Sequence, residues 1–104
     1  MAITPADLQA RIDTGTAPDV LDVRSAREFA EGHVPGAVNV PFWAVVAGSA
    51  VPSSPDRELV VYCGHGPRAY LAGAALKRRG YKRVTYLTGH ITRWRKEGLP
   101  ETRG

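Results

Sequence analysis

Short apolar runs alternate with segments of helical character along the whole chain. Three runs have the length and branched apolar content of buried strands, and a fourth is shorter: residues 19–23, 59–62, 83–87 and 38–40. Four segments of helix formers lie before, between and after them: residues 5–13, 26–31, 68–79 and 91–97. This alternation predicts an α/β fold built from βαβ units around a parallel sheet.

Local signals refine this outline. Thr4 and Ser25 stand where helix N-caps are expected, each three residues before an acidic residue. Residues 42–46 predict a helical turn over the sheet, with Trp43 in the core. Residues 48–56 are rich in Ser and Pro and predict a surface loop. Gly80 marks the end of the longest helix.

Chain length and cysteine content limit the number of domains and the compartments to be expected. The 104 residues suit one domain, residues 1–104, with a modest core. The single cysteine excludes an internal disulfide, and no apolar run approaches a membrane-spanning length. The N-terminus lacks the basic-then-apolar pattern of a secretory signal. We therefore expect a reducing, cytoplasmic setting without a membrane, or one domain of a longer protein.

The chain is basic, with a formal net charge of +4 and a pI of about 9.6. This balance serves solubility and also favours small anionic substrates or acidic partner proteins. The basic residues concentrate in three clusters, at residues 77–79, 82–83 and 93–96, without a nucleic-acid motif around them. We therefore expect no nucleic-acid partner.

The stretch with most chemical content contains the only cysteine. The apolar strand 59–62 leads into Cys63, and a short loop with Gly64 and Gly66 connects it to a helix. Because glycine adopts positive φ angles freely, such a loop can turn several N–H groups toward one point at the positive end of a helix dipole. This setting favours a nucleophilic thiolate. Arg68, separated from Cys63 by four residues, can offer forked donors to an oxyanion; the alternative is a buried structural cysteine.

Three segments together resemble the rhodanese homology domain. The first is Tyr62-Cys63-x-x-Gly66-x-Arg68, the active-site loop of single-domain rhodaneses. The second runs from Leu21-Asp22-Val23-Arg24 through Glu28 and Gly32-His33-Val34-Pro35-Gly36-Ala37 to Asn39-Val40-Pro41. The third is Leu87-x-Gly89-x-x-x-x-Trp94-x-x-x-Gly98-x-Pro100. The resemblance covers nearly the whole chain, from about residue 4 to residue 100.

The resemblance implies a three-layer sandwich with a central five-stranded parallel sheet and helices on both faces. It also implies sulfur transfer: Cys63 takes the outer sulfur of thiosulfate or a persulfide donor, and a thiol or cyanide removes it. The N–H groups of the loop and the following helix start would stabilise the persulfide: Gly64, His65, Gly66, Arg68 and Ala69. Arg68 would hold the loop or the departing sulfite. No metal or organic cofactor is implied.

Other residues have two open roles. Asp22 and Arg24 either support the loop around Cys63 electrostatically or form a local ion pair that fixes a turn. Glu28 and His33 are expected to have such a local role.

Three positions depart from, or add to, the commonest family pattern. Pro67 removes one N–H from the loop, and His65 places a titratable group beside the sulfur. His90 replaces a second glycine. It can narrow the entrance, donate to an anion, or cap the last helix, and the capping role is the one expected.

Two other functions compete with sulfur transfer. Related phosphatases and arsenate reductases have five residues between Cys and Arg, because phosphate is larger than a sulfur atom, whereas this chain has four. A non-turnover persulfide carrier or a protein-docking module would show the same residues as the enzyme. Whether the chain is an enzyme or a carrier, the sulfur acceptor can be another protein.

Overall fold

A computed structural model describes residues 1–104. It contains five strands and five helices in the order β1 (Ala2–Ile3), α1 (Pro5–Asp13), β2 (Asp19–Asp22), α2 (Ala26–Glu31), β3 (Val38–Asn39), α3 (Phe42–Val46), β4 (Leu59–Tyr62), α4 (Pro67–Arg78), β5 (Val84–Leu87) and α5 (His90–Lys96). None of the helices combines the length and apolar character needed to cross a membrane.

The five strands form one parallel sheet in the order β1-β5-β4-β2-β3. The predicted α/β class and the strand count implied by the resemblance are confirmed. Four strands were located from the sequence, and β1 was not. It has only two residues, and its pairing depends on β5, where the Tyr86 N–H donates to Met1 O and the Thr88 N–H to Ile3 O.

Helices cover both faces of the sheet, and the strands divide their side chains between two cores. The core under α3 and α4 contains Leu21, Val23, Val45, Val51, Leu59, Val61, Cys63, Ala69, Ala72, Leu76 and Val84. The core on the opposite face, with α1 and α5, contains Leu8, Val20, Val34, Ala37, Val60, Tyr62, Leu87, Ile91 and Trp94. Because successive strand residues point to opposite faces, the neighbours Tyr62 and Cys63 lie on different sides of the sheet.

The expected position of Trp43 is wrong. Ala44 and Val45 face the core from α3, which is only five residues long, and Trp43 points outward with 65% of its surface exposed. The other helices match the predicted ones to within one residue at each end. Small side chains explain the close packing of α4 on the sheet: a Cβ on Gly73 would collide with the Tyr86 hydroxyl.

Candidate active site

Cys63 follows β4 directly, at the carboxyl edge of a central strand. In a parallel sheet all carboxyl ends meet at this edge, which is where α/β folds place their ligand sites. The cysteine is unpaired and 1% exposed, with its side chain on the α4 side of the sheet. The thiol is therefore set beneath the loop rather than on the surface.

The loop from Gly64 to Gly66 closes over the sulfur. The Gly66 N–H donates to Cys63 Sγ at 2.9 Å. Gly66 is the N-cap of α4 with φ +135°, and Pro67, which lacks an N–H, is the first helical residue. The positive end of this twelve-residue helix thus faces the sulfur. Gly64 is buried and His65 is exposed at the loop surface.

Ala69 and Arg68 follow in the first turn of α4. Ala69 is fully buried, whereas Arg68 is half-buried and paired with Glu28, its Nη1 lying 2.7 Å and its Nη2 3.1 Å from the two carboxylate oxygens. The hydrogen bonds that Arg68 donates to Glu28, and more weakly the nearby Cys63, raise the pKa of Arg68. The Arg68 guanidinium is thus held next to the loop by a bidentate ion pair.

The sequence did not predict that Glu28 contacts Arg68 at this site. The expected local role is present: its carboxylate accepts from Ser25 N at 3.1 Å, completing the capping box of α2. The same carboxylate also reaches Arg68, forty residues away. Arg68 above all, and then the Ser25 donors, lower the pKa of Glu28 to about 2 despite partial burial. The spacing of Ser25 and Glu28 predicts the capping box, but no feature of the sequence predicts that Glu28 also binds Arg68.

Asp22 and Arg24 pair with each other rather than with the loop. Arg24 Nη2 lies 2.8 Å from Asp22 Oδ2 and donates to Gly32 O at 2.6 Å, and both side chains are almost fully buried. Burial opposes the charge on Arg24, but the hydrogen bonds to Asp22 outweigh it and the pKa of Arg24 is raised. Asp22 is opposite Tyr62 in the sheet register, and burial raises the pKa of Tyr62. The pair fixes the turn after β2 on the face away from Cys63.

The first turn of α5 holds the loop from behind. The Cys63 N–H donates to His90 Nδ1 at 3.2 Å, and the Ile91 N–H donates to Cys63 O at 3.1 Å. The Thr92 hydroxyl donates to Gly64 O at 2.8 Å and lies 3.4 Å from the His65 ring. The expected capping role of His90 is wrong, because the N-cap is Gly89 and the buried His90 ring accepts from Cys63 instead.

The remaining sequence candidates lie apart from the sulfur. His33 donates from Nδ1 to Phe29 O at 2.8 Å and stacks on the Phe29 ring, which is the local role expected for it. No group of three His, Cys, Asp or Glu side chains converges in a way that could hold a metal ion. The chemistry available at this edge is that of one thiol, the amides around it and a paired guanidinium.

Comparisons with known proteins show which family this fold belongs to. The family model of the Rhodanese-like domain matches residues 4–97. A sulfurtransferase from Allochromatium vinosum is 39% identical over 82 residues, which cover 78% of this chain and 75% of that protein. The probable adenylyltransferase/sulfurtransferase MoeZ from Mycobacterium tuberculosis is 34% identical, and the match covers 95% of this chain but 26% of that protein. A rhodanese-related protein from Thermoplasma volcanium, known from its crystal structure, superposes with a TM-score of 0.82 at 30% identity, covering 99% and 98% of the two chains.

Proposed function

Because the chain belongs to the rhodanese-like domain family, we propose that it is a sulfurtransferase in which Cys63 carries the transferred sulfur. One observation supports this most directly: the only thiol in the chain accepts a hydrogen bond from the Gly66 amide at 2.9 Å, at the start of α4. An amide donor and a helix N-terminus favour negative charge on the sulfur. The same groups suit a terminal persulfide sulfur, which also carries negative charge.

The reaction has two displacement steps. The Cys63 thiolate attacks the outer sulfur of thiosulfate, a new S–S bond forms, and the original S–S bond breaks so that sulfite leaves with the electron pair. A thiolate or cyanide acceptor then attacks the outer sulfur of the Cys63 persulfide. This step gives a persulfide or thiocyanate and regenerates the Cys63 thiolate, so that no net oxidant or reductant is consumed.

Loop amides supply the charge stabilisation in this scheme. The N–H groups of Gly64, His65 and Gly66, with those of Arg68 and Ala69 in the first turn of α4, are the candidate donors to the persulfide. Pro67 contributes none and instead fixes the start of the helix. Preorganised donors of this kind need no rearrangement when charge develops on the sulfur.

Arg68 has a role in holding the loop. Its bidentate pairing with Glu28 ties the first turn of α4 to the first turn of α2. With one carboxylate already bound, the guanidinium keeps a partial positive field at the loop, which attracts an anionic donor such as thiosulfate and the departing sulfite. Asp22 and Arg24 support this arrangement indirectly, by fixing the turn that precedes α2.

Intact mass spectrometry under non-reducing conditions tests the proposal. The native protein and Cys63→Ser are measured before and after incubation with thiosulfate. We expect a gain of one sulfur atom on the native protein alone, reversed by cyanide. No gain from thiosulfate or from a persulfide donor would remove the sulfurtransferase function, and phosphoryl substrates would then be tested.

Turnover separates an enzyme from a persulfide carrier. Catalytic production of thiocyanate from thiosulfate and cyanide supports the enzyme, and transfer only to a protein acceptor supports the carrier. The basic balance of the chain suits an anionic donor and an acidic protein acceptor. Because Cys63 has no second cysteine in the chain to reduce it, we place the activity in a reducing compartment such as the cytoplasm.

A further inference from the structure

Three consecutive residues at the start of α5 clamp the reactive loop. His90 accepts from the Cys63 N–H, the Ile91 N–H donates to the Cys63 carbonyl, and the Thr92 hydroxyl donates to the Gly64 carbonyl. Both backbone groups of Cys63 are therefore bound to one helical turn. Of these three contacts, only the one at His90 depends on an ionisable side chain.

The contact determines the protonation state of the His90 ring. An amide N–H can only donate, so Nδ1 must be unprotonated and the ring proton must lie on Nε2. Nε2 faces the other end of the loop, because a Cβ placed on Gly66 would come within 3.4 Å of it. The ring thus spans the loop from Cys63 to Gly66.

The backbone of His90 is in an unusual conformation for this purpose. Its φ of 54° makes it the only non-glycine residue with positive φ, and the side chain is 2% exposed. Left-handed conformations and burial of a polar ring both cost free energy, so they persist where surrounding contacts determine them. The contacts here are the Cys63 amide and the Tyr70 ring, which meets the His90 ring edge to face at 5.6 Å.

We propose that His90 is a positioning residue for Cys63 and that it acts only as the neutral imidazole, so that protonating His90 releases the amide end of the loop and slows reaction at the sulfur. This inference rests on the proposed function for its biological meaning. The clamp itself is defined by hydrogen bonds and can be tested without any sulfur donor.

The groups around the His90 ring are compatible with a clamp that requires the neutral imidazole. The Cys63 amide and the His65 side chain lie near the ring in the loop, and the Tyr70 ring faces it from α4. Behind Tyr70, the Tyr86 ring of β5 lies 4.7 Å away. No carboxylate faces the ring from these elements.

The electrostatics favour the neutral form. On its own helix, the nearest charged side chain is Arg93, which is paired with Glu97. Burial, and to a smaller extent His65, lower the pKa of His90 below its ordinary value. The clamp is therefore complete above the ordinary histidine pKa and is lost as the pH falls through the lower value of the folded protein.

The test combines one spectroscopic and one chemical measurement on the full chain. In the wild type, NMR should show the Nε2–H tautomer of His90, and the Cys63 amide shift should follow the titration of the His90 ring. Alkylation of Cys63 by iodoacetamide is then measured across the acid range. Protonation of His90 should make the acid limb of this rate steeper than in a variant whose residue 90 does not titrate.

His90→Asn is the matched variant, because asparagine tolerates positive φ, offers an acceptor oxygen near the Nδ1 position, and does not titrate. We expect its alkylation rate at neutral pH to stay close to that of the wild type and its acid limb to be shallower. His90→Gly relieves the backbone and removes the acceptor, and should lower the rate at neutral pH about tenfold, the effect of one lost buried hydrogen bond. His65→Gln should retain the steep acid limb, since the invoked proton belongs to His90.

Identical acid limbs in the wild type and His90→Asn would overturn the proposal, as would a Cys63 amide shift independent of the His90 titration. If the variants do not fold, the NMR titration of the wild type decides alone. Because iodoacetamide reports the thiol directly, failure of sulfur transfer in the mass experiment leaves this test intact.

Discussion

Two arginine–carboxylate pairs stand near the carboxyl edge of the sheet, and their surroundings make them different interactions. Asp22 and Arg24 are 0% and 3% exposed, while Glu28 and Arg68 are 37% and 32% exposed. The side chains of the buried pair bond to each other, to the Arg24 N–H and to the Gly32 carbonyl, all between residues 22 and 32. The half-exposed pair joins two helices next to the thiol. The difference teaches that position relative to the sheet, rather than residue type, separates the pair enclosed in the fold from the pair that lies beside the thiol.

The sheet explains why the Asp22–Arg24 pair and the Cys63 thiol lie on different faces of the molecule. Side chains alternate across a strand, so Asp22 and its partner in register, Tyr62, lie on the α1–α5 face. Cys63, one residue later, lies on the α3–α4 face. The side chains of Asp22 and Tyr62 are thus separated from the Cys63 thiol by the sheet, although Tyr62 is the neighbour of Cys63 in sequence.

The largest effect is expected from breaking the buried pair. Asp22→Asn removes the only carboxylate that neutralises Arg24, and we expect a loss of about 3–5 kcal/mol in the free energy of unfolding, as for other buried charges left alone. Urea denaturation followed by circular dichroism measures it. A loss below about 1 kcal/mol, the range of surface pairs, would show that the two pairs do not differ as described.

A smaller effect is expected from a side chain on the loop. Gly66→Ala forces φ +135° on a residue with a Cβ, which would lie 3.0 Å from the Tyr70 ring and 3.4 Å from His90 Nε2. We expect a stability loss of about 1–3 kcal/mol and slower persulfide formation, because the amide that donates to Sγ must move.

Gly64→Ala is the matched control for Gly66→Ala. Gly64 has no positive φ, and its new Cβ would meet only the Arg68 guanidinium, at 3.2 Å, and no backbone or ring atom. An equal stability loss in the two variants would contradict the special position of Gly66.

Breaking the half-exposed pair should affect the reaction more than the fold. Glu28→Gln should lower the free energy of unfolding by about 1 kcal/mol or less, because solvent screens the pair. Loosening of α4 beside Cys63 should slow persulfide formation about fivefold, the equivalent of about 1 kcal/mol in the barrier. Mass spectrometry of single-turnover reactions quenched at successive times measures the rate of persulfide formation.

The chain supplies a matched control at the opposite edge of the sheet. Asp19 pairs with Arg57 at 2.9 Å, and those side chains are 29% and 61% exposed. Asp19→Asn should give a similarly small stability loss with no change in the rate of persulfide formation. A rate loss in both variants would assign the effect to general loosening.

The smallest effect concerns acid. Because Arg68 holds the pKa of Glu28 at about 2 against an ordinary value of 4.5, the pair stabilises the fold fully above about pH 4.5 and less as the pH falls toward 2. The stability difference between the wild type and Glu28→Gln, at most about 1 kcal/mol at neutral pH, should shrink over this window and disappear only below about pH 2. Denaturation curves at several pH values measure it, and a difference that stays constant from neutral pH down to pH 2 would exclude the pair as its source.

Sequence patterns were sufficient where short-range chemistry decides the outcome. Alternating strands and helices, the Ser25–Glu28 capping box and the glycine loop after Cys63 all depend on residues within a few positions of one another, and each is present. The prediction for Trp43 was wrong because α3 has only five residues. Its orientation is decided by Ala44 and Val45, the two residues that it buries.

Long-range pairings were decided by the tertiary structure alone. The strand β1 exists because β5 offers it a free edge, and Glu28 meets Arg68 because α2 and α4 begin at the same edge of the sheet. His90 reaches the Cys63 amide because α5 starts behind the loop. The sequence by itself determined the fold class and the strand, loop and helix around Cys63, since these follow from local conformational preference. Which charges and rings surround the Cys63 thiol follows from the order and parallel direction of the strands, which bring residues distant in the chain to one edge.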